Sequence, residues 1–274
     1  MTDFVPKGHF VDIGDDLKIH YHEAGEGPVV VFLHGSGPGA SGWSNFKGNY
    51  PHFAEAGYRV IVPDILGFGY STKADDAQYT IDYMADGIIA MLDALGIEQC
   101  ALVGNSMGGA VAIRMALTRP TRITRLILMA PGGLEPRETY MNMVGIKAMV
   151  RVVFGREGVT RDSLKRLFEL QLYDPSIMAD EVIDERLSIA KLQTKRVIET
   201  MRIPNQADAL PDLQCPVLGF WGTDDKFCPI SGAMTLVNGC KDAEVLMLSR
   251  CGHWVMVEHP ETFNRHTLAF LGQS

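Results

Sequence analysis

Three short polar segments carry the residue types from which a nucleophilic hydrolytic site is built. GNSMGG (residues 104–109) fits the pattern G-x-S-x-G. In that pattern a serine occupies a tight strand-to-helix bend that exposes its hydroxyl, and small neighbours let the two elements approach. Ser106 is therefore a candidate nucleophile, with helix N–H groups behind it for a developing oxyanion. The plainer alternative is a serine N-cap between packing glycines. A strand-like CALVG before it and a helix-like run after it favour the nucleophile. A serine needs a base, and the base needs an orienting acid. CGHW (251–254) supplies His253, and GTDDKFCP (222–229) supplies Asp224 and Asp225. Asp225, four residues before Pro229, is preferred over Asp224, the plain alternative being that the pair forms a solvated turn. His34 and His259 look structural.

The stretch HGSGPGASGW (34–43) poses a different question, because a glycine-rich turn after a strand can cradle phosphate. Gly35, Gly37 and Ala40 satisfy G-x-G-x-x-A as letters. Pro38 and Gly39 leave no clean helix start, however, and a hairpin precedes the strand. With a serine elbow present, the better reading is an oxyanion loop. The backbone N–H near Ser36 would join that of Met107 in holding a developing negative charge.

These residues need a frame. Residues 10–22 read as two short strands about the turn GDD, while VVVFL (29–33) and YRVIVPD (58–64) read as strands buried on both faces. NFKGNYPHFAEAG (45–57) reads as one crossover helix. TIDYMADGIIAMLDALG (80–96) has helical spacing, with Thr80 as N-cap and Gly96 as the stop. A strand at 100–104, a helix after it and a strand at 125–130 continue the alternation. That order predicts an α/β chain with a mostly parallel sheet covered on both faces. From PGGLEP onward the spacing is helical for about 70 residues in three runs, and strand–helix order resumes at CPVLGFWG. The expected organisation is a core of residues 1–133 and 207–274 with a helical cap of residues 134–206 inserted in it. Each candidate polar cluster lies just past the C-terminal end of a predicted strand, where open α/β sheets place their sites.

Composition narrows the function classes. The chain has 274 residues, 46% hydrophobic and 21% charged, with a formal net charge of −8. A sizeable core is expected, and neither nucleic acid nor an anionic membrane is an expected partner. No apolar run approaches the ~18 residues of a membrane span, and the N-terminal stretch MTDFVPKGHF lacks a signal pattern. Five cysteines without CxxC spacing fit reduced thiols and a cytoplasmic location. No cofactor or metal is implied.

Taken together, HGSGPGASGWSNF, AGYRVIVPD, GNSMGG, the DD-x-F-x-P segment and CGHW followed by EH resemble the motifs of the α/β-hydrolase fold, and within it of the meta-cleavage product hydrolases. The resemblance spans essentially the whole chain. It implies hydrolysis of the C5–C6 carbon–carbon bond of 2-hydroxy-6-oxo-hexa-2,4-dienoates, the ring-fission products of aromatic degradation. It implies Ser106 as nucleophile, Asp225 as orienting acid and His253 as base, with Ser36 and Met107 at the oxyanion positions. Gly35, Asn45, Asn105, Arg186 and Trp254 fall at substrate-binding positions, Arg186 as the carboxylate clamp. The plain alternatives are a surface ion pair of Arg186 with Asp180 or Glu181, a helix N-cap for Asn45 and core packing for Trp254. The segment PDILGFGYS (63–71) departs from the family in its Ile-Leu pair. Relatives also imply a homodimer or higher homo-oligomer. A carboxylesterase, or a small-molecule receptor on the same fold, would share the triad. Met141, Met143, Met149, Val152, Val153, Phe154 and Leu172 are expected to give the cap an adaptable apolar surface.

Overall fold

The computed structural model describes residues 4–273, so the first three residues of the N-terminal stretch and Ser274 lie outside it. Eight strands make one sheet: β1 (His9–Asp12), β2 (Lys18–Ala24), β3 (Val29–Leu33), β4 (Arg59–Pro63), β5 (Cys100–Asn105), β6 (Ile123–Met129), β7 (Val217–Gly222) and β8 (Ala243–Leu248). Their order is β1-β2-β4-β3-β5-β6-β7-β8. The pairs β1–β2 and β2–β4 are antiparallel, and every other pair is parallel. The inner strands are apolar because both of their faces are covered: all six residues of β5 and of β7 are buried.

Helices α1 (Gly42–Phe46), α2 (Tyr50–Glu55), α3 (Ile81–Ala94) and α4 (Met107–Thr118) lie within the first half of the sheet. Thr80 caps α3 by accepting from the Tyr83 N–H, and Gly96 ends that segment at φ +66°. The expected single helix over 45–57 is instead α1 and α2. Its first turn starts earlier, where Ser41 and Ser44 form a reciprocal capping box. It breaks before Pro51, which has no N–H to continue the ladder and sits in the first turn of α2.

Between β6 and β7 the chain leaves the sheet for α5 (Arg137–Asn142), α6 (Val144–Phe154), α7 (Arg161–Glu169), α8 (Asp180–Ala190) and α9 (Lys195–Thr200). The three helical runs in the sequence thus become four helices, and α9 follows the last of them. The first run breaks at Met143, whose ψ is 136°. The Gly145 N–H there donates to the Lys226 carbonyl at 2.8 Å, and a Cβ on Gly145 would lie 2.5 Å from the Phe227 ring. A contact with the sheet domain, invisible to local spacing, sets that break. After β7 come α10 (Ser231–Gly239), α11 (Val255–Glu258) and α12 (Pro260–Leu271).

Two apolar clusters sandwich the sheet. One gathers α3, α4 and α10 side chains, such as Ile88, Val111 and Leu236. The other gathers Phe46, Phe53 and Phe263 with Val152, Leu164, Phe168 and Leu172 of the inserted segment, so that segment and sheet share one core. No helix among the described residues is long and apolar enough to cross a membrane. All five cysteines are unpaired.

Candidate active site

The bend between β5 and α4 holds Ser106 at φ 54° and ψ −115°, a conformation that costs about 1–3 kcal/mol for a residue with a side chain. Neighbouring hydrogen bonds enforce it: Ser106 N–H donates to Met129 O at 2.9 Å, and Gly132 N–H donates to Ser106 O at 3.0 Å. Glycine is required beside it, since a Cβ on Gly108 would sit 2.1 Å from the Leu33 carbonyl oxygen. Met107 opens α4, so its N–H belongs to the first turn, where no intrahelical acceptor exists.

Asp225 and His253 meet from the ends of β7 and β8. His253 Nδ1 and Asp225 Oδ2 are 2.7 Å apart, with both side chains buried. The other carboxylate oxygen accepts from the Phe227 and Cys228 N–H groups at 2.7 and 2.9 Å. Those bonds fix the carboxylate, and an ionised Asp225 puts the imidazole proton on Nδ1, leaving Nε2 as an acceptor. Phe227 stacks on the imidazole with ring centroids 5.2 Å apart. Asp224 instead accepts from the Thr223 hydroxyl and makes no bond to the histidine. His34 is buried within the glycine loop, bonded to Gly35 O and the Ile65 N–H, and burial lowers its pKa. It braces the backbone. His259 lies away from the site, near the Arg250 carbonyl.

The glycine loop runs from β3 to the capping box without a long helix behind it. Its approach to α8 is tight: Gly39 has φ +75°, and a Cβ there would lie 2.3 Å from the Arg186 carbonyl oxygen. Asp64 anchors the loop end by accepting from the Gly42 N–H at 2.7 Å. Gly35 packs beside Asn105 and Ser106.

Arg186 is 3% exposed. Its Nη2 donates to Ser44 O at 2.8 Å and to Asn45 Oδ1 at 3.2 Å. The guanidinium lies 4.5 Å from the Trp254 ring centroid and 5.2 Å from that of Phe168. Burial lowers its pKa from 12.5 to about 10, so it stays charged at neutral pH. Its Nε has no hydrogen-bond partner among the described residues. The surface ion pair with Asp180 is taken by Arg161, which also holds Asp184. Asn45 sits inside α1 rather than capping it, and its amide donates to Asn105 Oδ1 at 3.4 Å. Trp254 is buried, with one face given to Arg186.

Two cavities meet at the serine. A small polar chamber is bounded by Ser106, His253, Asn45, Asn105, Arg186 and Trp254, with Gly35 and Ser36 in its wall. A larger cavity of about 470 Å³ lies on the other side, lined by Met141, Met149, Val150, Phe154 and Ile203. Ser36 and Ser106 line both. Of the apolar residues expected to face a pocket, Met141, Met149 and Phe154 do. Val152 and Leu172 are instead packed into the shared core, and Met143 marks the break between α5 and α6.

Residues 28–147 match the family model described as alpha/beta hydrolase fold. A 2-hydroxy-6-oxononadienedioate/2-hydroxy-6-oxononatrienedioate hydrolase of Comamonas testosteroni is 39% identical over 266 residues, covering 93% of this chain and 92% of the relative. A 2-hydroxy-6-oxo-6-phenylhexa-2,4-dienoate hydrolase of Burkholderia cepacia is 38% identical over 267 residues, with 93% and 92% covered. The crystal structure of a meta-cleavage product hydrolase from Pseudomonas fluorescens superposes with a TM-score of 0.86 at 28% identity, covering 98% of each chain. The chain belongs to the meta-cleavage product hydrolase family.

Several residues lining the site of this meta-cleavage product hydrolase escaped sequence reasoning. Phe227 lies within the DD-x-F segment but reads as core. Cys228 lines the larger cavity, and burial raises its thiol pKa well above the usual range. Gln171 follows α7 in a stretch whose apolar spacing reads as helix, yet it faces the polar chamber. Its one sequence signal is a polar amide among apolar neighbours.

Proposed function

We propose that this hydrolase cleaves the C5–C6 bond of 2-hydroxy-6-oxo-hexa-2,4-dienoates, giving 2-hydroxypenta-2,4-dienoate and a carboxylic acid. The observation that carries the reading is a buried, charged arginine in the same small chamber as Ser106 and His253, with a roomy, mainly apolar cavity beyond the serine that Arg137, Glu199 and Arg202 also line. A substrate with an anionic oxo-acid end and a variable acyl end matches that polarity. A simple ester offers Arg186 no anion, and burying an unused cation is costly.

In the proposed mechanism the carboxylate lies against Arg186, using its unpartnered Nε and the guanidinium edge. Asn45 and Trp254 border the same end. The C6 carbonyl sits at the neck, its oxygen toward the N–H groups of Ser36 and Met107, with the acyl substituent in the larger cavity. His253 moves the proton of the 2-hydroxyl to C5, giving the 2,6-dioxo-3-enoate. Ser106 then attacks C6 as His253 takes its proton. The C5–C6 bond breaks, and its electron pair enters the 2-oxo-3-enoate as a dienolate, which protonation converts to the dienol product. Water, deprotonated by His253, hydrolyses the acyl-serine. Asp225 orients the imidazole and stabilises its charged form. The helices of residues 134–206 act as a lid, since they supply Arg186 and one wall of the acyl cavity.

The chain is further proposed to act in the cytoplasm as a homo-oligomer. Unpaired cysteines support the first point, and exposed Ile230, Met234 and Met247 near the β8 edge support the second. The deciding experiment follows loss of the yellow colour of 6-methyl and 6-phenyl dienoates beside p-nitrophenyl acetate, with wild type and Ser106→Ala. Rapid colour loss that Ser106→Ala abolishes is expected. Persistent colour with ester cleavage would make the chain an esterase instead.

A further inference from the structure

The polar chamber contains one group that the mechanism above leaves unused. Gln171 is 6% exposed, and its side-chain Oε1 is buried without a hydrogen-bond partner among the described residues. The residue is held in place by its own backbone. Its carbonyl accepts from the His253 N–H at 2.7 Å and from the Trp254 N–H at 3.3 Å. The backbone of Gln171 is therefore tied to that of His253 and of Trp254, whose ring stacks on Arg186, and the residue lines the same chamber. A buried acceptor left unpaired costs about 1–3 kcal/mol, and such a group persists where a ligand completes it.

The chemistry of the missing partner follows from donor and acceptor counting. Oε1 needs a donor. An ionised dienoate substrate presents acceptors at its carboxylate and at its C6 carbonyl. Its single donor is the 2-hydroxyl, adjacent to the carboxylate that Arg186 would hold. Resting on the dienoate reading, we infer that Gln171 is a substrate-contacting specificity residue whose Oε1 accepts the 2-hydroxyl proton of the enol substrate. The amide thereby selects the 2-hydroxy compound over an analogue with hydrogen at C2. It also holds that hydroxyl on the His253 side of the chamber before its proton moves to C5.

The test measures binding rather than turnover. In the Ser106→Ala background, dissociation constants are measured for 2-hydroxy-6-oxo-6-phenylhexa-2,4-dienoate and for its analogue with hydrogen at C2. The comparison is made with Gln171 intact, with Gln171→Met and with Gln171→Glu. Methionine keeps the length of the side chain without the acceptor, whereas glutamate keeps the acceptor. With Gln171 intact, the hydroxy compound should bind about tenfold more tightly than the analogue, the scale of one neutral hydrogen bond. Gln171→Met should erase that ratio. Gln171→Glu should preserve it even as both ligands weaken near the added charge. A ratio unchanged in Gln171→Met, or near one with Gln171 intact, overturns the inference. If Gln171→Met does not fold, loss of the ratio in Gln171→Glu overturns it and retention supports it. Failure of the dienoate reading looks different: Ser106→Ala with Gln171 intact would bind neither compound.

Discussion

Replacing Arg186 with methionine separates binding of the substrate from integrity of the fold. The guanidinium is enclosed, stacked on Trp254 and already engaged with Ser44 O and Asn45 Oδ1. A substrate carboxylate would add two charge-assisted hydrogen bonds, each about 1.5–3 kcal/mol. Allowing for solvation the ligand surrenders, the loss in Arg186→Met is about 3–4 kcal/mol, or roughly 10²–10³-fold in kcat/KM. Stability should respond differently. The drop in pKa from 12.5 to about 10 corresponds to about 3 kcal/mol against the charged form in the empty site. The variant gains that and loses a cation–π contact of about 0.5–2 kcal/mol together with two hydrogen bonds. At about 1.5–3 kcal/mol for each charged hydrogen bond the losses exceed the gain by roughly 0.5–5 kcal/mol, so the Tm should fall by no more than about 10 °C and the variant should still fold. The assay is the ratio of kcat/KM for the 6-phenyl dienoate to that for p-nitrophenyl acetate, with a thermal melt of each protein. Arg186→Met should lower the ratio at least about 100-fold. If dienoate and ester activity fall together with the Tm, Arg186 supports the fold and the carboxylate argument fails. If the ratio does not move, the carboxylate binds elsewhere.

Asp225→Asn should lower kcat for dienoate and ester alike by about 10³–10⁴-fold, because the amide no longer fixes the Nδ1–H tautomer, while Asp224→Asn changes kcat less than about twofold; steady-state kinetics distinguish them. Gly108→Ala should lower the Tm by about 5 °C or more and abolish turnover, since its Cβ would lie 2.1 Å from Leu33 O; an unchanged melting curve would refute the elbow argument. His22 has its pKa lowered to about 4 by burial first and by His20 second. The unfolded chain therefore binds more protons between about pH 6.5 and 4, so this contribution to stability is present above pH 6.5 and lost as pH falls toward 4. Allowing for solvent near the ring, it amounts to about 1–2 kcal/mol, and His22→Gln should flatten the fall in Tm between pH 7 and pH 5.

Much of this molecule is legible along the chain. VVVFL, CALVG and PVLGFW read as buried strands because a strand covered on both faces must be apolar throughout, and that requirement is local. GNSMGG reads as an elbow in part for a local reason, since a Cβ on Gly104 would meet Gly108 and Gly109 one turn away, whereas Gly108 clears the Leu33 carbonyl of the neighbouring strand. The order of Ser106, Asp225 and His253 follows from strand–helix alternation. Other features depend on contacts across the fold. The choice of Asp225 over Asp224 comes from the Phe227 and Cys228 N–H groups and from a histidine 28 residues later in the chain. Arg186 reads equally well as a surface ion-pair residue until Trp254, Phe168 and Ser44 enclose it. The break at Met143 depends on Lys226 and Phe227. Gln171 reads as part of a helix because spacing reports which face is covered, not whether an enclosed polar atom has found a partner. Local sequence thus determined the strands, the elbow and the order of the polar clusters, through interactions that span a few residues. Only the tertiary structure decided which carboxylate, which cation and which amide share one chamber, because those groups approach each other from the ends of different strands and from the helices inserted between them.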